Sequence, residues 1–476
     1  MNKYKKLAMN TAIFAIGSFG SKILVLLLTR LYTSNISPSD SSTKELLEIT
    51  ANFLIPIVTF SMNEAIIRYG LDKHYNKRQV FTSACCITGS GLILMLILSP
   101  LLGLVSFLNY LDGYTILLLV YICTSAFRSL CSQFVRARGL VKLFSFDGIL
   151  TTLTLFIFNI IFISKLGLGV RGFMLSVILS DFLSAIFLFF VAKLYHYLNI
   201  RYFSPDLAKS MLGFAVPLIP TAVMWIITGF SDRLFIRYME SDKAQLGETA
   251  AGIYGYATKV PNLISMVSTI FFQAWNMSAI SENDSKDRSN FYEKVYSAYQ
   301  SIMFLAAAFL IAGVQLITPL FVNDSKFGEY STVYLYTPIL VIAVLFMCFN
   351  QFLSIIYTAT KHTKNSFWTS MAACVSNILL NIALIPNLGI QGASIATLAS
   401  YFVCFAIRIM DARRYVPFSV DWKNFTVNTA VLLALCFVVI NQPMFYPGYL
   451  ACGFIFLLTC NYKAIITMIK KLLKRG

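Results

Sequence analysis

Long apolar segments recur along the whole chain and are separated by short polar stretches. About fourteen of them reach the roughly 20 residues that an α-helix needs to cross a bilayer. None alternates polar with apolar residues, as membrane β-strands do. The predicted spans are residues 7–31, 45–69, 80–103, 114–136, 144–164, 170–192, 211–238, 249–278, 294–322, 332–358, 366–386, 390–410, 424–441 and 448–466. The pattern therefore predicts an all-α, polytopic membrane helical bundle.

Composition supports the membrane class, since 58% of the residues are hydrophobic and 12% are charged. The first residues, MNKYKK, lead into an apolar segment without a small-residue cleavage site, so we expect the first helix to be retained. All ten cysteines lie in apolar segments, which is typical of core residues rather than of disulfides or metal ligands. No metal site is predicted.

The net charge of +17 reflects topology. Most Lys and Arg residues lie in alternate loops, for example Arg408, Arg413 and Arg414 in one loop and Lys470 and Lys471 in the tail. The positive-inside rule then places both termini in the cytoplasm, with an even number of spans. The basic tail suits anionic membrane lipids. No soluble basic face exists, so nucleic acid is not an expected partner.

The chain also contains an internal repeat. The stretch KLGLGVRGFMLSVILS resembles NLGIQGASIATLAS, with Gly169 and Gly172 corresponding to Gly389 and Gly392. Earlier in each half, Asn159 corresponds to Asn381. We predict two pseudo-symmetric six-helix lobes, residues 1–200 and 201–415, followed by two further helices and a basic tail at residues 416–476. Because six is even, both lobes enter the membrane from the same side.

Helix breakers occupy corresponding places in the two halves. They are Gly17 and Gly20 in span one, Pro217 and Pro220 in span seven, Pro56 in span two and Pro261 in span eight. Binding sites in repeat-built transporters form where helices are interrupted at corresponding positions. We therefore predict hinges here, with ordinary helix kinks as the alternative for any single position.

Cations are the candidate binding residues. Lys22, Arg128 and Lys259 lie deep within predicted spans, where a charge costs at least about 2.5–3.5 kcal/mol. Arg30 shares one side of span one with Lys22, and Arg233 lies nearer the end of span seven. Several cations favour binding of an anion, above all a diphosphate. Their charge-assisted hydrogen bonds replace the hydration that the anion loses. For cations near helix ends, reaching toward lipid headgroups is the competing explanation.

Acids are few. Asp181 lies within span six and is either a structural partner of Arg128 or part of a cavity, while Glu64 and Arg68 are spaced as an i, i+4 pair in span two. Asp181 and Glu64 are the expected carriers if a proton or sodium ion is coupled. Asp232 falls toward the outer end of span seven, which leaves spans one, seven and eight without an acid at mid-depth.

Catalytic signals are missing from the sequence. The three histidines, His74, His196 and His362, lie in or beside predicted cytoplasmic loops, and none has metal-ligand spacing. There is no phosphate-binding glycine loop and no large polar loop of the kind that a membrane glycosyltransferase or polymerase carries. We expect a protein that is not an enzyme and needs no cofactor.

Two stretches, NTAIFAIGSFGSKILVLLLTRLYT and LLEITANFLIPIVTFSMNEAIIRYG, resemble the start of bacterial oligosaccharide flippases of the polysaccharide transporter family. This is the Wzx-like branch of the multidrug/oligosaccharidyl-lipid/polysaccharide (MOP) exporter superfamily. The resemblance implies a V-shaped pair of lobes like those of MATE transporters and alternating access. It also implies a cavity lined by cations, among which Lys22 and Lys259 fit the family pattern by position, and a lipid groove on the last two helices.

The resemblance implies a substrate too, a polyprenyl (undecaprenyl) diphosphate-linked oligosaccharide that moves from the inner to the outer leaflet for export of O-antigen or capsule. A polysaccharide polymerase and glycosyltransferases are the partners to expect. Two alternatives stay open: a proton- or sodium-coupled multidrug exporter on the same fold, and a membrane-embedded glycan polymerase or transferase.

Overall fold

The structure is a computed structural model of the chain, and it describes residues 27–72, 74–100, 106–281, 287–324, 326–360 and 362–473. In these ranges the chain forms helices and no strand, as predicted. Residues 27–35 are helical. The next helices are α1 (Pro38–Val58), α2 (Met62–Leu71), α3 (Lys77–Leu98), α4 (Thr115–Ala137), α5 (Val141–Asn159), α6 (Gly169–Val191) and α7 (Pro205–Ala215).

The remaining helices continue in the same manner to the end of the described chain. They are α8 (Ile219–Tyr238), α9 (Glu248–Ala257), α10 (Asn262–Ser281), α11 (Arg288–Ala312), α12 (Val314–Phe321), α13 (Val333–Ala359), α14 (Thr363–Tyr415), α15 (Trp422–Asn441) and α16 (Tyr446–Leu473). A π-helical turn, Ile160–Lys165, extends α5.

Helix starts follow local capping signals in the sequence. Ser37 precedes Pro38, and its side chain accepts a hydrogen bond from the backbone N–H of Asp40. Ser204 before Pro205 caps α7 in the same way. A Ser followed by Pro is typical of a helix start. The Ser hydroxyl accepts a hydrogen bond from a backbone N–H of the first turn, and Pro has no N–H that would lack a partner at the first helical position.

Eight helices of the described chain are long and apolar enough to cross a membrane, and a ninth results if α1 and α2, bent by 51°, form one broken span. Helix α14 covers two predicted spans, 366–386 and 390–410, and is interrupted at Gly389. Predicted spans seven and eight are each divided into two helices. The total of fourteen spans stays a prediction.

The chain forms two compact units that divide after Phe230, within α8. We call the described residues up to Phe230 the first unit and those from Ser231 the second unit. Helix α7 packs on α2 and α3 in the first unit, where the Tyr69 hydroxyl donates to the Ser210 carbonyl at 3.0 Å. The lobe boundaries predicted from the repeat, 1–200, 201–415 and 416–476, stay a prediction.

Each unit has its own apolar core. In the first unit, helices α2, α3, α4, α6 and α7 enclose a cluster in which Phe81 stacks on Phe134 with ring centroids 4.5 Å apart. In the second unit, Trp275 stacks on Phe352 at 4.6 Å. Helices α15 and α16 pack on α11 and extend that core.

The repeat detected in the sequence recurs as a backbone feature. Gly169 and Gly389 both have positive φ angles, 52° and 58°, at corresponding helix turns. A Cβ at Gly172 would lie 3.0 Å from the Phe162 carbonyl oxygen, and one at Gly392 would lie 2.6 Å from the Leu384 carbonyl oxygen. Both turns therefore bring a glycine against the backbone of the preceding helix, where a side chain does not fit.

Candidate functional site

The predicted cations divide into three groups. Lys22 lies outside the described residues, as do Gly17 and Gly20. Arg30 is exposed in the helical segment 27–35 of the first unit. Arg233 and Lys259 are half-buried in the second unit.

Arg128 lies in a polar cluster of the first unit and is 27% exposed. Its guanidinium is 3.5 Å from the Asp181 carboxylate on α6 and 3.7 Å from the Asp147 carboxylate on α5. Its Nε also donates to the Ser184 hydroxyl at 3.0 Å. The two carboxylates accept hydrogen bonds from Ser125 and Ser184. Arg128 and Asp181 thus form an ion pair, and a role of either residue in substrate binding or ion coupling stays a prediction.

Asp147 is the member of this cluster that the sequence argument missed. It falls near the start of a predicted span, where acids are common, yet its side chain is 1% exposed and its Oδ2 accepts no hydrogen bond. Two carboxylates therefore share one guanidinium. Such a cluster is stable only if its charges stay paired, because an unpaired buried charge costs several kcal/mol.

Asp232 is the centre of a second polar network, in the second unit, and it is 2% exposed. Its Oδ2 accepts from the Tyr254 and Thr397 hydroxyls, each at 2.7 Å. Its Oδ1 accepts from Asn377 and Asn381 at 3.0 and 2.6 Å. Four donors satisfy this buried carboxylate, as charge burial requires.

The sequence argument set Asp232 aside as lying toward the outer end of its span, and named Asp181 and Glu64 as the acids that could carry a coupled ion. That choice stays a prediction, and the structure adds two acids to the candidates. Asp147 and Asp232 are enclosed carboxylates as well, whereas Glu64 is exposed on α2, as is Arg68. The repeat had marked Asn381 through its counterpart Asn159, which was the available signal for this network.

The network around Asp232 consists of oxygens and amides and carries one formal negative charge. The Asn381 Oδ1 is buried and accepts no hydrogen bond. If the Asn381 amide rotated by half a turn, its oxygen would point toward the carboxylate. Either a cation between the two oxygens or a hydrogen bond from a protonated carboxyl would stabilise that arrangement, and hard cations favour oxygen ligands of this kind.

The two partly exposed cations of the second unit each lie over a buried tyrosine. The Arg233 guanidinium is 5.8 Å from the Tyr254 ring centroid, and the Lys259 ammonium is 5.9 Å from the Tyr256 ring centroid. Arg233 thus shares Tyr254 with the network of Asp232. The ring faces attract the cations electrostatically and limit their positions.

The described hinge candidates coincide with helix interruptions. Pro56 precedes the 51° bend between α1 and α2, where Phe60 and Ser61 have positive φ angles. Pro217 is the middle residue of the 3-10 turn Val216–Leu218, and Pro220 is the second residue of α8. Pro261 ends the break between α9 and α10, two residues after Lys259. Proline explains these breaks, since it removes a helical hydrogen bond and clashes with the preceding turn. Their role as hinges stays a prediction.

The fold resembles that of solved membrane transporters. An inward-facing MATE family multidrug resistance transporter of the MOP superfamily matches with a TM-score of 0.64 at 15% identity, covering 87% of this chain and 99% of that one. The outward-facing form of such a transporter matches with a TM-score of 0.58 at 14% identity, covering 87% and 96%.

A MOP superfamily transporter from Pyrococcus furiosus, whose binding pocket is described as having reverse polarity, matches with a TM-score of 0.54 at 16% identity, covering 87% of this chain and 97% of that one. An uncharacterized membrane protein of Methanocaldococcus jannaschii is 25% identical over 269 residues, or 54% of this chain and 61% of the relative's length. No family model matches the chain. The fold is therefore that of MOP superfamily transporters, and the chain is a polytopic membrane protein.

Proposed function

We propose that the chain is a flippase that moves an oligosaccharide linked to a polyprenyl diphosphate from the inner to the outer leaflet of a bacterial cytoplasmic membrane, by alternating access. One observation carries this proposal. Asp147, Asp181 and Asp232 are enclosed and hydrogen-bonded, whereas Arg30, Arg233 and Lys259 are partly exposed. Among these six residues the partly exposed charges are thus positive, which favours an anionic substrate.

A diphosphate matches these cations chemically. It offers several oxygens to charge-assisted hydrogen bonds, and such bonds are about twice as strong as neutral ones. An inside-negative membrane potential would assist the outward movement of an anion by about 2.3 kcal/mol per charge per 100 mV. The similar transporter from Pyrococcus furiosus, with its binding pocket of reverse polarity, offers a precedent for a changed pocket polarity on this fold.

We assign ion coupling to Asp232. A single sodium ion would neutralise the carboxylate and take oxygens from Asn377, Asn381 and Thr397. Because Arg233 is the next residue and contacts Tyr254, ion binding at Asp232 would change the position of a substrate-binding cation. The change in the position of Arg233 would couple sodium binding to release of the substrate diphosphate.

The proposal is tested by flipping in liposomes. The purified protein is reconstituted with a fluorescent polyprenyl-diphosphate oligosaccharide, and the labelled lipid accessible to an external quencher is measured over time. Lys259→Ala and Arg233→Ala should each slow flipping at least about tenfold, the effect of losing one strong charge-assisted contact. Lys165→Ala is the matched control, because Lys165 is an exposed lysine at the end of the π-helical turn. Wild-type rates in both test variants would refute the proposal.

A cation-coupled multidrug exporter is the second candidate, favoured by the MATE family neighbours and by the excess of carboxylates around Arg128. It predicts efflux of cationic dyes that is lost in Asp181→Asn. The same liposomes separate the two functions, since the flippase should move the anionic lipid and leave a cationic dye in place.

A further inference from the structure

A polar cavity of about 430 Å³ opens beside the two carboxy-terminal helices, within the second unit. Its walls come from α11, from the segment that precedes α15, from the first turns of α15 and from α16. The lining includes Tyr296, Ser297, Gln300, Asp421, Lys423 and Asn424. The volume is within the range of small-ligand sites, which is about 300–1,000 Å³.

The inner wall of the cavity contains a polar group that the protein does not satisfy itself, the Tyr296 hydroxyl. Tyr296 is 1% exposed, and its hydroxyl has no hydrogen-bond partner among the described residues. Gln300, one helical turn further along α11, is 4% exposed. A buried hydroxyl without a partner costs about 1–3 kcal/mol, so it indicates a ligand that supplies the missing bond.

The mouth of the cavity carries one charge of each sign. Lys423 and Asp421 are both exposed there. The Asp421 side chain caps α15 by accepting from the Asn424 N–H at 3.0 Å, which leaves its second carboxylate oxygen for another donor. Lys423 lies in the first turn of α15, where the helix dipole also favours an anion. The mouth therefore complements a group that carries both a phosphate and an ammonium.

The position of the cavity fits a lipid. It lies at the end of α11 and α15 that the positive-inside rule predicts to be cytoplasmic. Trp422 beside it is 43% exposed, as expected of a residue in an interfacial aromatic belt. Val427 and Cys460 form an apolar wall, and α15 and α16 also expose Leu433, Phe437 and Ile455. Acyl chains would lie along these apolar flanks while the head group enters the cavity.

We infer that this cavity binds the head group of phosphatidylethanolamine, with the phosphate at Lys423 and the start of α15, and the ammonium at Asp421. The phosphate or glycerol oxygens satisfy the Tyr296 hydroxyl. The bound lipid supports the packing of α15 and α16 against α11. The lining of this cavity does not include Arg30, Arg233 or Lys259, the cations proposed to bind the transported substrate.

Native mass spectrometry of the full chain, released from detergent with phosphatidylethanolamine or phosphatidylglycerol added, tests the inference. The wild type should retain one phosphatidylethanolamine, bound about five- to tenfold more tightly than phosphatidylglycerol. Lys423→Gln should weaken the binding of both lipids by a similar factor. Asp421→Asn should remove the preference alone, because Asn caps a helix as well as Asp does. Tyr296→Phe, which keeps the ring, should weaken both lipids.

Lys364→Gln is the matched control, since Lys364 is likewise an exposed lysine in the first turn of a long helix. It should bind both lipids as the wild type does. Equal retention of the two lipids by the wild type, or unchanged binding in Lys423→Gln, would overturn the inference. So would soluble phosphoethanolamine that displaces the lipid at equal concentration, since the site would then bind a free metabolite.

Discussion

Replacing Asp232 by Asn tests the second unit's network with little change in shape. The amide oxygen would still accept from Asn377 and Asn381. The new amide nitrogen would face the hydroxyls of Tyr254 and Thr397, which now donate to the carboxylate. Both hydroxyls can turn to accept instead, and Thr397 already has a second acceptor in the Ala393 carbonyl at 3.0 Å. The network can therefore adapt to a neutral side chain.

The contacts set the expected magnitudes. In Asp232→Asn every donor keeps a partner, so the loss of stability should be at most about 1 kcal/mol, the net value of one hydrogen bond. In Asp232→Ala, Asn381 can still donate to the Asn377 Oδ1 at 3.1 Å, whereas Asn377 loses its acceptor. One buried unsatisfied donor and a small cavity should together cost about 2–4 kcal/mol.

Sodium dependence is the functional measurement. For the wild type in detergent, sodium at about ten times its Kd should stabilise the folded protein by about 1.4 kcal/mol relative to choline, and the melting temperature should rise accordingly. Asp232→Asn should melt near the wild-type temperature in choline and show no rise with sodium. Equal stabilisation of Asp232→Asn and the wild type by sodium would refute the assignment of the ion site.

Two further substitutions test the architecture by thermal melting. Arg128→Met should destabilise the first unit by about 3–5 kcal/mol, because Asp147 and Asp181 lose their cation. Adding Asp147→Asn and Asp181→Asn should recover most of that stability. A triple variant no more stable than Arg128→Met would contradict the pairing. Gly392→Ala should lower the melting temperature, since its Cβ would lie 2.6 Å from the Leu384 carbonyl oxygen, whereas Gly213→Ala, which has open space around it, should be neutral or stabilising.

Helix positions were predictable because each helix depends on its own residues. A long apolar segment must form its backbone hydrogen bonds internally in a membrane, so hydrophobicity and length are sufficient to predict it. Prolines marked the interruptions at Pro56, Pro217 and Pro261 for an equally local reason. The paired glycines of the repeat were visible in the sequence as well, since a positive φ angle favours glycine over every other residue.

Burial of charge was not predictable from position along a helix. Arg408 counted among the loop cations, yet it is 1% exposed and donates to the Asn350 carbonyl and to the side chains of Thr369 and Ser370. Lys44, directly before predicted span 45–69, is buried on α1 and lies 4.4 Å from the Phe173 ring centroid. Neighbouring helices cover both side chains. The local sequence pattern does not indicate how these helices pack.

Fold class, membrane insertion and the internal repeat thus follow from local hydrophobicity, glycine and proline, which act within a helix or a turn. Which acids become enclosed does not follow from the local sequence. Three of the four partners of Asp232 are 145 to 165 positions away, and Arg128 contacts Asp147 and Asp181 on two other helices. These contacts depend on the angles at which helices cross and on the helix faces that contact one another. Side-chain packing over the whole unit determines both. The same packing leaves the Tyr296 hydroxyl unsatisfied beside a cavity.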